Sequence, residues 1–178
     1  MSDHEELGRQ IADAAVLRGS FTLRSGQTSS YYIDKYRLTT DPALLRRITD
    51  ALMALVPAGV QRIAGTALGA VPLATALSLA TGVPAIFVRV DAAKDHGTSK
   101  SVEGVLEAGD KVLVVEDVVT TGGASLAALE RLRAAKADVV GVIAVVDREQ
   151  GGADAIAAAG VPFRALYSVS ELGVGEGS

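Results

Sequence analysis

The sequence predicts an α/β fold in which a parallel central sheet is flanked by helices. Short runs of continuous apolar residues, such as residues 112–115 (VLVV), alternate with amphipathic helical stretches over most of the chain. Uninterrupted apolar strands between helices are typical of a parallel sheet that is covered on both faces. A length of 178 residues suits one domain, and we expect residues 1–178 to form it.

Helix and strand signals can be placed in order along the chain. They begin with a helix over about residues 3–17, short strands at residues 21–23 and 31–33, and a helix that Asp41 caps and that extends to about residue 55. The alternating part then predicts strands at residues 62–64, 85–88, 112–115, 139–146 and 163–166, with helices at about residues 71–80, 124–137 and 153–159. In such sheets ligands bind beyond the carboxyl ends of the strands, so the residues that follow each strand are candidates for function.

Composition excludes several classes of function. A net charge of −4 argues against a general nucleic-acid binder, and aromatic residues at 4% leave few surfaces on which bases could stack. No apolar run reaches the roughly 18 residues that a membrane span needs, and residues 1–10 are too polar for a secretory signal. The chain has no cysteine, which excludes thiolate chemistry and fits a reducing compartment. We therefore expect a cytoplasmic protein with no nucleic-acid or membrane partner.

The strongest functional signal follows the strand at residues 112–115. Two acids, Glu116 and Asp117, lead through Val118 and Val119 into the segment TTGGAS at residues 120–125, where a helix begins. A glycine-rich turn at a helix N-terminus presents free backbone N–H groups to an anion. Carboxylates would repel that anion but accept hydrogen bonds from a ribose diol. The segment therefore predicts a sugar-phosphate site, and the lysine of a nucleoside-triphosphate loop is missing.

A second feature is the long polar stretch at residues 91–104 (DAAKDHGTSKSVEG), which lies between two apolar strands. Long polar loops inside a compact domain are usually functional or disordered. A solvated surface loop is the plainer interpretation.

The string VLVVEDVVTTGGAS at residues 112–125 resembles the PRPP-binding motif of the type I phosphoribosyltransferases, where PRPP is phosphoribosyl pyrophosphate. The resemblance implies the type I fold and transfer of a phosphoribosyl group from PRPP. It also implies that the PRPP-binding residues include Glu116, Asp117, Val118, Val119, Thr120, Thr121, Gly122, Gly123 and Ala124. The plainer interpretation of this stretch is an ordinary capped helix.

Three further segments resemble the orotate phosphoribosyltransferases of that family. FTLRSG at residues 21–26 and SSYYID at residues 29–34 resemble the part of these enzymes that forms a hood over the acceptor, so the resemblance implies an N-terminal hood over residues 1–40. It implies orotate binding by Arg24, Thr120 and Arg148, the last in the segment VDR at residues 146–148. The alternative to the hood is an ordinary hairpin with a cationic edge. The alternative role of Arg148 is an ion pair with Asp147 or Glu149.

The segment KDHG at residues 94–97 resembles the mobile catalytic loop of the family. The resemblance implies that Lys94 and His96 contact pyrophosphate in the neighbouring subunit's site, and that they and Asp117 are the catalytic residues. It therefore implies a homodimer with shared active sites. Mg²⁺ is the implied cofactor, held mainly through PRPP and not by a dedicated set of protein ligands.

Two departures from the family pattern concern the pyrophosphate contacts. The family usually carries Arg-Lys where Val90 and Asp91 stand, and Arg89 lies one residue earlier, so we expect Arg89 to bind PRPP only if this offset is accommodated. The loop TALGA at residues 66–70 occupies the place of the family's pyrophosphate loop. Some members carry a lysine at the position of Gly69, so the resemblance implies that backbone amides bind pyrophosphate here.

The predicted reaction is the transfer of the phosphoribosyl group of PRPP to orotate, giving orotidine 5′-monophosphate and pyrophosphate in pyrimidine biosynthesis. A purine-base phosphoribosyltransferase is the first alternative, and the segment FTLRSG and Arg148 argue against it. A non-catalytic PRPP-sensing regulator is the second, although such a protein would need a further nucleic-acid-binding domain or a basic face.

Overall fold

The computed structural model describes residues 2–22, 26, 28–90 and 101–174. The predicted site residues Arg24, Lys94 and His96 lie outside these ranges, so their predicted roles stay predictions.

The described part of the chain contains an N-terminal unit followed by alternating strands and helices. The N-terminal unit consists of α1 (Asp3–Ala15), the strands β1 (Val16–Thr22) and β2 (Thr28–Ile33), and the short α2 (Arg37–Thr40). The alternating part runs through α3 (Pro42–Met53), β3 (Arg62–Ala67), α4 (Val71–Thr81), β4 (Ala85–Arg89), β5 (Val102–Glu103), β6 (Lys111–Val119), α5 (Gly123–Ala134), β7 (Asp138–Asp147), α6 (Gly152–Ala158) and β8 (Phe163–Ser168). No helix among the described residues combines the length and the apolar character that crossing a bilayer requires.

The main sheet has six strands in the order β5-β4-β3-β6-β7-β8. Five of them are parallel, and β5 adds an antiparallel edge next to β4. From β3 the chain adds β4 on one side, and from β6 it adds β7 and β8 on the other. The strand order therefore reverses between β3 and β6, and a ligand crevice is expected at the carboxyl ends of these two strands. The parallel sheet flanked by helices confirms the predicted fold class.

Side-chain alternation along β6 divides the core into two layers. Leu113 and Val115 are buried with α1, α3, α4 and the β1–β2 hairpin. Val112 and Val114 are buried on the opposite face with Leu129 and other residues of α5 and α6. The N-terminal unit thus covers one face of the sheet together with α3 and α4, while α5 and α6 cover the other.

The structure differs from the sequence-based boundaries at several places. The first helix ends at Ala15 and not near residue 17, because Val16 already pairs with Ile33 in the hairpin. The strand β6 continues beyond residue 115 to Val119, because β7 extends equally far and Val119 pairs with Asp147. The short elements β5 and α2 were not predicted, and β5 falls inside the stretch that we expected to be a loop.

The turn after β6 is fixed by close packing against the start of α6. Gly122 has a φ of +81°, which glycine adopts without strain. A Cβ atom at Gly152 would lie 2.5 Å from Val119 Cγ1 and 2.6 Å from the carbonyl oxygen of Thr120. The close approach of these two segments therefore requires a glycine at position 152.

We expect Gly152→Ala to lower the free energy of unfolding by about 1–3 kcal/mol, because the added methyl group must push the backbone at Thr120 aside. Urea denaturation monitored by circular dichroism measures this change.

Gly151→Ala is the matched control. Gly151 has a φ of +86° with nothing near its Cβ position, so this variant reports backbone strain alone, about 1 kcal/mol. A Gly152→Ala protein that is as stable as the wild type would contradict the packing argument.

Candidate active site

The crevice opens where β3 and β6 separate. Their pairing ends at Gly65 and Val115, whereas β6 stays paired with β7 to its last residue. The residues of β6 beyond Val115 therefore lie in the sheet with one edge facing the loop between β3 and α4. Glu116 and Asp117 occupy this position and, as neighbours in a strand, point to opposite faces of the sheet.

Glu116 points toward α5 and is almost fully buried, with 3% of its surface exposed. Its carboxylate accepts hydrogen bonds from Thr66 Oγ1 at 2.5 Å and from Ser125 Oγ at 3.0 Å. Burial raises the pKa of Glu116 to about 7, the two hydroxyl donors oppose that shift, and the charge of Asp117 adds to it. The side chain links the end of β3 to the first turn of α5. Its predicted role with the ribose stays a prediction.

Asp117 points to the other face, toward the N-terminal unit. Its Oδ2 atom lies 3.0 Å from the ammonium nitrogen of Lys35, and its Oδ1 atom accepts a hydrogen bond from the backbone N–H of Val118 at 2.7 Å. Although the ammonium is close enough for an ion pair, the buried Oδ2 atom has no well-aligned hydrogen-bond donor among the described residues. This leaves Asp117 with an oxygen that can accept a further hydrogen bond.

Arg148 follows β7 and lies beside the glycine-rich turn. Its backbone N–H donates to the carbonyl oxygen of Val119 at 2.9 Å. Its guanidinium lies over the ring of Tyr31, 4.9 Å from the ring centroid, and its buried Nε has no partner among the described residues. The expected alternative, a pairing with Asp147 or Glu149, is not formed in the described structure: Asp147 accepts from the N–H of Glu149, and Glu149 accepts from Ser170.

The turn at residues 120–122 leads into α5, whose first residue is Gly123. No side chain caps this helix, and its N-cap residue is Gly122. The first N–H groups of the helix therefore have no side-chain acceptor in the described structure, and an anion could accept from them. Thr120 and Thr121 add hydroxyl groups to the same turn.

Arg89, the predicted pyrophosphate contact, ends β4 and forms an ion pair with Glu103 of β5 at 3.2 Å. Its backbone N–H also donates to the carbonyl oxygen of Ser101 at 2.9 Å. The guanidinium is largely exposed in this position, and its predicted role in binding PRPP stays a prediction.

The structure thus brings Glu116, Asp117, the turn at residues 120–123 and Arg148 to one edge of the sheet. Sequence reasoning did not name Thr66, Lys35 or Tyr31 as site residues. Thr66 and Tyr31 lie in quoted segments, the loop at residues 66–70 and SSYYID at residues 29–34. Lys35 lies outside both, and no local pattern reveals its contact with Asp117.

Among the described residues, no group of three or more acidic or histidine side chains is arranged to hold a metal ion. Asp117 Oδ2 is buried and lies 3.0 Å from the Lys35 ammonium, so a Mg²⁺ ion near it would depend on oxygen ligands from water and phosphate. The residues present therefore fit a magnesium ion that is held mostly by the bound substrate.

The raised pKa of Glu116 makes stability depend on pH. Between its ordinary pKa of 4.5 and its folded value of about 7, the folded protein holds the proton more tightly than the unfolded chain. Rising pH over this window therefore favours unfolding. We expect the wild type to lose up to about 3 kcal/mol of stability relative to Glu116→Gln as the pH rises from 4.5 to 7.

Urea denaturation of both proteins at several pH values measures this difference, in which the contributions of all other titrating groups cancel. Glu130→Gln, an exposed position on α5, is the control and should follow the wild type at every pH. If the difference in the free energy of unfolding between wild type and Glu116→Gln stays constant from pH 5 to pH 8, Glu116 is ionised in the folded protein over that whole range.

Comparisons with known proteins place this chain in a family. The phosphoribosyl transferase domain family matches residues 38–161. The orotate phosphoribosyltransferase of Methanocella arvoryzae is 47% identical over 158 residues, which cover 89% of this chain and 90% of the relative.

Solved structures give the same result. The Mycobacterium tuberculosis H37Rv orotate phosphoribosyltransferase in complex with Fe(III) dicitrate superimposes with a TM-score of 0.84 at 37% identity, covering 97% of this chain and 99% of that one. The same enzyme in complex with PRPP gives a TM-score of 0.81 at 35% identity, again covering 97% and 99%. The chain therefore belongs to the phosphoribosyl transferase domain family and, within it, to the orotate phosphoribosyltransferases.

Proposed function

We propose that this chain transfers the phosphoribosyl group of PRPP to orotate at the edge of the sheet formed by β3, β6 and β7. In this reaction a bond forms between orotate N1 and the ribose C1 carbon as the bond from C1 to the pyrophosphate oxygen breaks, with inversion at C1. The products are orotidine 5′-monophosphate and pyrophosphate.

One observation carries the proposal. The backbone N–H of Arg148 donates to the carbonyl oxygen of Val119, so a hydrogen bond of 2.9 Å joins the proposed acceptor-binding residue to the start of the donor-binding turn. A two-substrate transfer requires its donor and acceptor groups to be held side by side, and this contact supports such an arrangement.

The donor half of the site uses the turn at residues 120–123 and the start of α5. The free N–H groups and the threonine hydroxyls suit the 5-phosphate of PRPP. The carboxylate of Asp117, which has an oxygen without an aligned donor, suits a ribose hydroxyl. Val118, Val119 and Ala124 complete the predicted donor contacts through their backbone.

The acceptor half uses Arg148 and the N-terminal unit. The guanidinium lies over the ring of Tyr31, and its buried Nε has no acceptor among the described residues. The carboxylate of orotate is a planar anion that a guanidinium binds with paired hydrogen bonds. In this proposal residues 1–40 form the hood of a single domain, with Thr120 and Arg24 completing the acceptor contacts.

Catalysis needs no side-chain nucleophile, because positioning and charge stabilisation supply the rate. Pyrophosphate leaves with additional negative charge, which Lys94 and His96 of the neighbouring subunit and Arg89 are proposed to stabilise. Mg²⁺ on the pyrophosphate and ribose oxygens would supply further positive charge. The enzyme is accordingly a homodimer in this proposal, and a cytoplasmic location remains the expectation.

We expect the protein to consume orotate when PRPP and Mg²⁺ are both present, measured as the loss of orotate ultraviolet absorbance. Adenine and hypoxanthine, supplied as parallel acceptors, should give no product. Activity with a purine but not with orotate would overturn the assignment of the acceptor.

Arg148→Met tests the proposed acceptor half of the site. We expect it to raise the KM for orotate at least about tenfold while the KM for PRPP changes little, because the lost contact is a charged hydrogen bond to the acceptor. An unchanged KM for orotate would separate Arg148 from the acceptor.

Shared sites predict complementation between two inactive proteins. Lys94→Ala and Asp117→Asn should each be inactive alone, and mixing them should restore part of the activity, because one site of each heterodimer carries neither substitution. Activity is measured across mixing ratios after subunit exchange.

Wild type mixed with Asp117→Asn is the control for subunit exchange. If that mixture shows heterodimers and the two inactive variants still give no activity at any ratio, the sites are not shared between subunits.

A further inference from the structure

Lys35 reaches the site from outside every predicted motif. It lies between β2 and α2, and its side chain crosses to β6, where the ammonium nitrogen is 3.0 Å from Asp117 Oδ2. The lysine side chain is 40% exposed, whereas that of Asp117 is 4% exposed. The ammonium therefore has one buried anionic neighbour, while its side chain as a whole is partly exposed to solvent.

The ammonium lies beside Gly69, in the loop between β3 and α4, where the absence of a side chain leaves room for it. A Cβ atom at Gly69 would lie 2.7 Å from Lys35 Nζ and 1.8 Å from Asp117 Oδ2. The lysine and its carboxylate partner thus occupy the space that a side chain at position 69 would take. Lys35 places a cation against the loop that has no cationic side chain of its own at this point.

Lys35 carries a positive charge at neutral pH. Burial lowers its pKa, but the charge of Asp117 and the contact with its carboxylate outweigh that effect, so the pKa lies above its ordinary value of 10.5. An ammonium carries several N–H donors, and Asp117 engages it from one side only. The remaining donors are available to a second anion in the crevice.

An anionic donor substrate needs such a group. Glu116 and Asp117 place two carboxyl groups at the strand end, and pyrophosphate brings several more negative charges to the same place. A cation located between Asp117 and the β3–α4 loop reduces this repulsion and can contact phosphate oxygens at the same time.

We propose that Lys35 is a substrate-binding residue that contacts the pyrophosphate group of PRPP, supplying from the segment after β2 the ammonium that position 69 lacks. The inference rests on the proposed function and adds to it a residue from the N-terminal unit. In the absence of substrate, the same ammonium neutralises Asp117.

Lys35→Gln tests the proposal, because glutamine removes the charge but keeps a polar group that can donate a hydrogen bond to Asp117, which protects the fold. We expect the KM for PRPP and the inhibition constant of pyrophosphate to rise at least about tenfold, while the KM for orotate changes less than about twofold. Arg37→Gln is the matched control. It removes one positive charge two residues away, from a side chain that pairs with Asp34 and not with Asp117, and it should behave as the wild type.

A second variant tests whether the charge itself is needed. Lys35→Arg keeps a cation at position 35, and we expect it to retain part of the affinity for PRPP that Lys35→Gln loses. PRPP and pyrophosphate constants of Lys35→Gln within twofold of the wild type would overturn the proposal. So would an equal loss with Arg37→Gln, or a folded Lys35→Arg protein that loses as much affinity for PRPP as Lys35→Gln.

Calorimetric titration with magnesium and PRPP separates this inference from the proposed function. If the wild type binds PRPP but does not consume orotate, the proposed acceptor fails, and the comparison of PRPP affinity between wild type and Lys35→Gln still decides the role of Lys35. If the wild type binds no PRPP, the proposed function fails and the inference fails with it.

Discussion

The site depends on the alternation of side chains along β6. Because neighbouring residues of a strand point to opposite faces, Glu116 must face α5 when Asp117 faces the N-terminal unit. Each carboxyl group consequently has partners from a different layer: the hydroxyls of Thr66 and Ser125 for one, the ammonium of Lys35 for the other. A single strand thus ties both helical layers to the same edge of the sheet.

This arrangement gives the two carboxyl groups different environments. Glu116 is buried among hydroxyl donors and has a pKa near neutrality, which suits a residue that fixes the geometry of β3 and α5. Asp117 keeps an oxygen without an aligned donor and lies beside a cation that is partly open to solvent. The two carboxyl groups that looked equivalent in the sequence thus differ in their partners, which are hydroxyl groups for Glu116 and an ammonium for Asp117.

The sequence predicted the features that depend on residues close together in the chain. The apolar runs identified the strands of the sheet, the fold class and the family are confirmed, and the glycine-rich turn does lead from β6 into α5. The end of β6 was misplaced because its length is set by pairing with β7, which lies far along the chain. Lys35 and Tyr31 were missed because their partners, Asp117 and Arg148, meet them only in the folded chain. The roles of Arg24, Lys94 and His96 stay predictions, because these residues lie outside the described structure.

The contact between α1 and β8 shows that the N-terminal helix packs against the main sheet of this protein. The hydroxyl of Tyr167 donates to the carbonyl oxygen of His4 at 2.8 Å, the two rings stack with centroids 4.4 Å apart, and Gly8 leaves room for the tyrosine ring. Leu7 and Ile11 of the same helix are buried with the central strands. The matched family region begins only at residue 38, yet a polypeptide cut there would expose this apolar face of the sheet to water. The boundary of the matched family region therefore leaves out a helix that covers part of the apolar face of the sheet.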